Sequence, residues 1–434
     1  MPDMKRPARP NPPSAVKQPS RPRLLAFLGP GLLAGASDDD PSGIATYSQA
    51  GAQFGYGLTW VMLFSWPLMC AIQEISARIG RVTGRGLAGN LKRHYPRAVL
   101  YTLVGLLLVA NTINLGADLG AMAAALQLVI GGPQLAYVAG FAVLTVVLET
   151  FVRYARYVSV LKWLTLSLLA YVGVALVVHV PWLTVTRSLV IPRFALDATS
   201  LTVVVAILGT TISPYLFFWQ AEEEVEETKE RAGAAPLIRA PNQAASEFGR
   251  IRWDTYLGMG ASNLVALFII VTTAATLNAH GVTDIATSAQ AAEALRPIAG
   301  RFVFAVFALG IVGTGLLAVP VLASSAAYAV GEAVGFHVGL ARKLHRAKSF
   351  YGTIAAATLV GALLNFTPLD PIKALFWTAV INGVVAVPIM VMLLLIASRR
   401  DVMSDFTLPP VLKTVGWVAT AVMAAAAAGM FATL

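Results

Sequence analysis

The chain has 434 residues, 57% of them hydrophobic and only 12% charged, with a net charge of +10 and one cysteine, Cys70. A soluble domain is about a quarter charged, so an ordinary water-facing surface, intrinsic disorder and a disulfide scaffold are all excluded. What remains is a polytopic, all-α membrane protein embedded in a lipid bilayer.

Residues 1–23, MPDMKRPARPNPPSAVKQPSRPR, are rich in proline and basic residues and lack the apolar stretch of a signal peptide. They read as a disordered basic tail in front of a membrane-spanning domain over 24–434. A membrane-crossing helix needs roughly 20 mostly apolar residues. Runs of that kind occur at 24–50, 57–77, 98–130, 135–152, 157–179, 200–221, 255–278, 302–333, 350–366, 373–397 and 411–433, about eleven in all. The segment 222–252 reads as the longest soluble connection.

The first run contains Ser37, Asp38, Asp39, Asp40, Pro41, Ser42 and Gly43 at its middle. Carboxylates at that depth are kept mainly for function. Pro41 removes a backbone donor and pushes Asp40 out of the α region, and Gly43 permits a positive φ. The combination predicts an unwound segment whose carbonyls and carboxylates line a cavity. The other reading, an interfacial loop, needs 24–36 and 44–56 to span separately, and each is too short.

In the third run Asp118 lies deep among apolar residues, as a functional acid or as a buried hydrogen-bonding group. Glu74 and Glu149 stand four residues before Arg78 and Arg153, the spacing of helical ion pairs. The sixth run carries a second break at Gly209, Thr210, Thr211, Ser213 and Pro214. A lone proline there is an ordinary kink. Two interrupted spans in corresponding places instead point to an inverted-repeat transporter with its site between the repeats. The repeats are expected at 24–179 and 200–397, with 411–433 as an extra helix.

Up to three carboxylates, the hydroxyls of the two breaks and freed carbonyls make an oxygen-rich cage suited to a hard divalent cation. The candidate donors are Asp38, Asp39 and Asp40, the hydroxyls of Ser37, Ser42, Thr210, Thr211 and Ser213, and the freed backbone around Gly43. No resident cofactor or obligatory protein partner is expected, and no catalytic motif suggests an enzyme. The five histidines fall in loops or at helix ends. Glu222, Glu223, Glu224, Glu226, Glu227 and Glu230 follow the sixth run. They form either a solvated acidic helix end or, at Glu222 and Glu223, a station on the ion's path. Acids sit badly at a helix C-terminus, and basic residues of the 78–97 loop are the expected partners.

With the N-terminus inside, 27 of the 32 Lys and Arg residues fall on one side, leaving Arg187, Arg193, Arg296, Arg301 and Lys373 on the other. Such a bias sets orientation, so nucleic acid is not needed to explain the basic charge. A multi-pass protein of the cell's inner (plasma) membrane with a cytoplasmic N-terminus is expected.

The run GPGLLAGASDDDPSGIATYSQAGAQFGYGLTWVMLF, continued by IQEISARIGRVTGRGLA, resembles the Nramp family of divalent-metal transporters. Further similarity lies in ADLGAMAAALQLVIG, ALRPIAG and DPIKALFW through VPIMVMLLLIASRRDVM. The resemblance implies a leucine-transporter-like fold of two inverted five-helix repeats with helices 1 and 6 unwound, and metal uptake, usually with proton cotransport. The departures are specific. The family's Asp-Pro-Gly-Asn stands here as Asp40-Pro41-Ser42-Gly43, keeping the liganding Asp40 and losing the amide at Gly43. Its Met-Pro-His-Asn stands as Ser213-Pro214-Tyr215-Leu216, with the carbonyl ligand one turn earlier on Thr210. Asp118 is kept, while the acid three residues on is Ala121. Sulfur lost and oxygen gained argue for a harder ion than Fe²⁺, with Mg²⁺ or Mn²⁺ favoured. Asp118 and Tyr215 remain for a proton path. The alternatives are an organic-substrate carrier of the same fold, which three aspartates would disfavour for a carboxylate substrate, or a proton-coupled Mn²⁺/Fe²⁺ carrier.

Overall fold

The computed structural model describes residues 34–35, 37–152, 163, 165–192, 195–367 and 370–433. The predicted tail, the opening of the first span, the opening of the fifth, and Arg153, Arg156, Lys162 and Arg193 lie outside the described residues.

Every predicted span that these residues cover is helical. The helices are α1 (Pro41–Phe54), α2 (Thr59–Thr83), α3 (Leu87–His94), α4 (Arg97–Ile130), α5 (Gln134–Phe151), α6 (Leu169–Val177), α7 (Trp182–Val190), α8 (Ala198–Thr211), α9 (Pro214–Glu230), α10 (Ala244–Thr276), α11 (Val303–Val334), α12 (Lys348–Leu364), α13 (Pro371–Ser398) and α14 (Pro410–Thr433). Among the described residues seven helices are long and apolar enough to cross a membrane.

Helix starts follow local chemistry. Among the described helices four begin with proline, where its missing N–H is not needed, α14 at Pro410 and three directly after a break or loop residue. These three are α1 after Asp40, α9 after Ser213 and α13 after Asp370. Asp40 and Asp370 also cap their helices, accepting from Gly43 N–H at 2.7 Å and Ile372 N–H at 2.9 Å. At the other end of α2, Gly84 adopts φ 67° and returns its N–H to the Gly80 carbonyl at 2.9 Å.

Two expectations are corrected. Gly43 lies inside the first turn of α1 without a positive φ, so the break falls before Pro41, at Asp39 and Asp40. The acidic run 222–230 is helical as part of α9, and α10 already begins at Ala244, so the connection is far shorter than 222–252. The first follows from the Asp40 cap, which holds Gly43 N–H in a helical turn; the second follows from tertiary burial, since the α9 acids find partners on other helices.

The short helix α1 lies against α10, α8 and α13, while α4 runs along α11 and α9 packs on α2. Close approach needs small residues. A Cβ at Gly80 would collide with the Ala221 carbonyl of α9, and one at Gly209 with the Ala379 carbonyl of α13. The outer surface carries exposed Val143, Phe151, Leu176 and Leu359, the apolar face that a bilayer covers.

Candidate functional site

The two breaks face each other inside the bundle. Ser37 and Asp38 are helical, Asp39 bends, and Asp40 is extended at φ −70°, ψ 170° before α1 begins. On the other side α8 ends at Thr211, and Ser213 is extended at φ −79°, ψ 130° before α9. Tyr215 joins them, its hydroxyl donating to the Ser37 carbonyl at 3.0 Å. Thr210 donates to the Tyr47 hydroxyl oxygen at 2.7 Å, fastening the last turn of α8 to α1. Ser42 donates to the Leu375 carbonyl at 3.2 Å, which sets α13 beside the first turn of α1.

The three consecutive aspartates do not form one cage. All are buried, at 1%, 6% and 3% exposure for Asp38, Asp39 and Asp40. Extended backbone at Asp40 sends its side chain away from those of its neighbours. Asp38 and Asp39 share the Ser262 hydroxyl of α10, with Oδ2 and Oδ1 at 2.7 and 3.1 Å. Asp40 instead accepts from Gly43 N–H and, at 3.3 Å, from Asn114 Nδ2 of α4. Among the described residues no three His, Cys, Asp or Glu side chains converge to hold a metal ion. Asp38 and Asp39 thus meet at one hydroxyl of α10, while Asp40 turns to the first turn of α1 and to α4.

The other predicted residues take definite places. Gly43 contributes only its N–H, to Asp40. Ser213 donates to the Gly209 and Thr210 carbonyls at 2.8 and 2.7 Å, so the Thr210 carbonyl is already engaged. Asp118, wholly buried on α4, has neither oxygen hydrogen-bonded. Met122, one turn beyond it, is packed at Gly315 of α11 beside Pro41.

Glu222 is buried far along α9, and Glu223 is half-buried. The acids of α9 are not paired with the 78–97 arginines. Glu224 and Glu227 meet Arg250 of α10 at 2.5 and 3.2 Å, and Glu226 accepts from the Tyr328 hydroxyl of α11 at 2.6 Å. Arg250 also meets Glu247, which in turn takes Arg81 at 3.3 Å and Arg231 at 2.9 Å. Glu332 of α11 accepts from Gly86 and Gly89 N–H at 3.0 and 2.7 Å, capping α3. The pair Glu74–Arg78 forms as expected at 2.7 Å, whereas the partner expected for Glu149 lies outside the described residues.

At the opposite end of the bundle a cavity of about 400 Å³ opens. It reaches Ala45, Gln49 and Gln53 on one face of α1, Thr199 and Thr202 of α8, and Asp284 and Lys373 at the mouth. Ala45 is one turn from Pro41, so the cavity stops about 6 Å short of the break along the α1 axis. The acid–arginine network of α9 and α10 lies toward the other end.

Sequence reasoning missed Asn114, Ser262, Tyr47 and Glu332. The first two carried a faint signal: polar residues inside the apolar third and seventh runs, with Asn114 four residues before Asp118.

The family model described as natural resistance-associated macrophage protein-like matches residues 31–433. The divalent metal cation transporter MntH of Klebsiella pneumoniae (strain 342) is 28% identical over 410 residues, 92% of this chain and 92% of its own length. Among solved structures, the Eremococcus coleocola manganese transporter bound to an aromatic bis-isothiourea substituted compound superposes with a TM-score of 0.73 at 18% identity, covering 93% of this chain and 85% of its own. The closed conformation of Mhp1, a nucleobase-cation-symport-1 family transporter, does so at 0.57 and 12%, covering 94% and 92%. These likenesses establish the leucine-transporter-like fold with its two broken helices.

Proposed function

We propose, from the premise that the chain belongs to the natural resistance-associated macrophage protein-like (Nramp) family of divalent metal cation transporters, that it imports hard divalent cations, Mg²⁺ or Mn²⁺ ahead of Fe²⁺, with Asp40 as the central ligand. One observation carries the ion preference. The side chains that hydrogen-bond at the two breaks do so through oxygen or amide nitrogen, among them Asp38, Asp39, Asp40, Ser42, Tyr47, Asn114, Thr210, Thr211, Ser213, Tyr215 and Ser262. Carboxylate, carbonyl and hydroxyl oxygens suit Mg²⁺ and Mn²⁺, whereas thiolate, thioether and imidazole suit later transition metals.

The arginine-rich end is the cytoplasmic one on the charge bias, in an inner (plasma) membrane. The cavity at the opposite end then faces outward, and the network of Arg250 with Glu224, Glu227 and Glu247 closes the cytoplasmic exit. Import is driven by the membrane potential, worth about 2.3 kcal/mol per elementary charge per 100 mV and so about twice that for a divalent ion. Two features support transport without protons. No imidazole stands at either break, and the Tyr215 hydroxyl is committed to Ser37.

The test is ion flux into liposomes holding the purified protein, with Mg²⁺, Mn²⁺ and Fe²⁺ compared. Asp40→Ala is expected to lower flux at least about tenfold, the equivalent of about 1.4 kcal/mol. Equal flux in wild type and variant, or a preference for Fe²⁺, overturns the assignment. A pH-sensitive dye inside the vesicles reads coupling, and acidification in step with metal entry would show cotransport of protons.

A further inference from the structure

We propose that Asn114 is itself a ligand of the transported cation, so that the ion is held between the first break and α4 rather than by the break alone. The proposal rests on the hard-cation reading of that break. Asn114 is fully buried in the middle of α4, and its Nδ2 donates to Asp40 Oδ2 at 3.3 Å. That bond orients the amide, because the reverse orientation would set the amide oxygen against the carboxylate. Its Oδ1 is then left buried without a hydrogen-bond partner.

Nothing on the same face of α4 relieves it. One turn along, Asp118 is equally buried, and both its oxygens lack partners. One turn back, Asn111 has already committed its Nδ2 to the Leu322 carbonyl and Ser325 Oγ of α11, at 2.9 and 2.8 Å. Among the described residues no Lys or Arg forms an ion pair with Asp40 or Asp118. A role limited to orienting Asp40 would use the amide N–H and leave the oxygen unexplained, which is costly in a membrane interior. A cation on Asn114 Oδ1 accounts for it. The amide is a neutral oxygen donor of the kind hard divalent ions accept, and it adds no further negative charge to a region already holding Asp40 and Asp118.

The test uses the full-length transporter in detergent and in liposomes, with Mn²⁺ and Mg²⁺ as probes. Calorimetric affinity is measured for wild type, Asn114→Leu and Asn114→Asp, with Asp40→Ala as reference. Asn114→Leu is expected to weaken Mn²⁺ binding at least about tenfold, the size of one 1.4 kcal/mol step. Asn114→Asp, which keeps an oxygen in place, should stay within about threefold of wild type. Asn114→Cys in a Cys70→Ala background, titrated with Co²⁺, should show a sulfur-to-metal charge-transfer band, a signature that a merely orienting residue would not give. Leucine and aspartate variants that weaken binding equally, an Asn114→Leu variant that binds like wild type, or a Cys variant that binds Co²⁺ without the band would each overturn the ligand role while leaving Asp40 in its place. Wild type that binds neither Mn²⁺ nor Mg²⁺ would overturn the underlying hard-cation reading instead.

Discussion

The Ser262 hydroxyl stands 2.7 Å from Asp38 Oδ2, joining α10 to the first break across 224 positions of sequence. The same oxygen lies 3.1 Å from Asp39 Oδ1. One hydroxyl hydrogen thus serves two buried carboxyl groups, and Asp38 Oδ1 has no hydrogen-bond partner among the described residues. Replacing Ser262 by Ala removes the one hydroxyl that the two acids share among the described residues. The variant is expected to lose about 1–3 kcal/mol of stability, the cost of leaving a buried polar group unsatisfied. It should also take up Mg²⁺ more weakly than wild type. Thermal unfolding in detergent and liposome flux check both, and an unchanged melting temperature would show that the bridge contributes nothing.

Ser213 decides the softness of the second break. Its hydroxyl engages the Gly209 and Thr210 carbonyls, and Ser213→Met would free them while adding a thioether, the donor that favours later transition metals. Competition between Cd²⁺ and Mg²⁺ in the flux assay should shift toward Cd²⁺ by about tenfold or more, one step of about 1.4 kcal/mol. A constant ratio would place the ion away from Ser213.

Arg250 holds Glu224, Glu227 and Glu247 together. Arg250→Gln leaves Glu224, buried to 1% exposure of its side chain, without its cation. The expected loss is about 2–3 kcal/mol, below the roughly 3–5 of a fully buried pair because Arg250 is 24% exposed. A cysteine placed at Glu227 should then label faster with an aqueous thiol reagent from the arginine-rich end, since the closing network is weakened. Equal labelling in both backgrounds would mean that the network does not close that end.

Glu332 caps α3 through Gly86 and Gly89. A Cβ at Gly86 would meet both Glu222 Oε1 and Glu332 Oε2, so the two carboxyl groups flank the same backbone. Glu332→Ala removes the cap, and about 1 kcal/mol of stability is expected to go with it. Faster amide exchange at 86–90 is the local readout. Exchange that stays at the wild-type rate would show that α3 does not depend on the carboxylate.

The α2–α9 contact depends on Gly80 lying against the Ala221 carbonyl. Gly80→Leu overfills it, and overpacking of this kind destabilises by about 1–3 kcal/mol or more. Ser76, which donates to the Phe217 carbonyl on the same seam, would lose its register. Reduced yield of folded protein and a lower melting temperature are expected, with Gly249→Leu, in open space, as the neutral control.

Much of the fold was legible because its causes are local. Hydropathy marked α4, α11 and α13 to within a few residues, since a helix must keep its backbone polar groups bonded along its own length inside a bilayer. Asp40-Pro41 and Ser213-Pro214 marked both breaks, since proline lacks the N–H that would continue the preceding turn. The conformation of Gly43 was misjudged for a related reason: a glycine that can adopt a positive φ does so only where the chain demands it, and here the first turn of α1 does not. The acids of α9 were misassigned to the 78–97 loop because proximity in sequence-predicted topology is a weak guide to which of several cytoplasmic helices supplies the cation.

The sequence by itself determined that the chain is a helical membrane protein, where its helices run and where two of them break. These are properties of hydrophobic length, proline and capping carboxylates acting over a few residues. The tertiary structure decided which partner each buried acid finds. Asp38, Asp39 and Asp40 are consecutive, yet the first two turn to Ser262 and the third to Asn114, residues 224, 223 and 74 positions away. The extended backbone at Asp40 sends neighbouring side chains in different directions, and only the packing of α4 and α10 at the break determines what they meet.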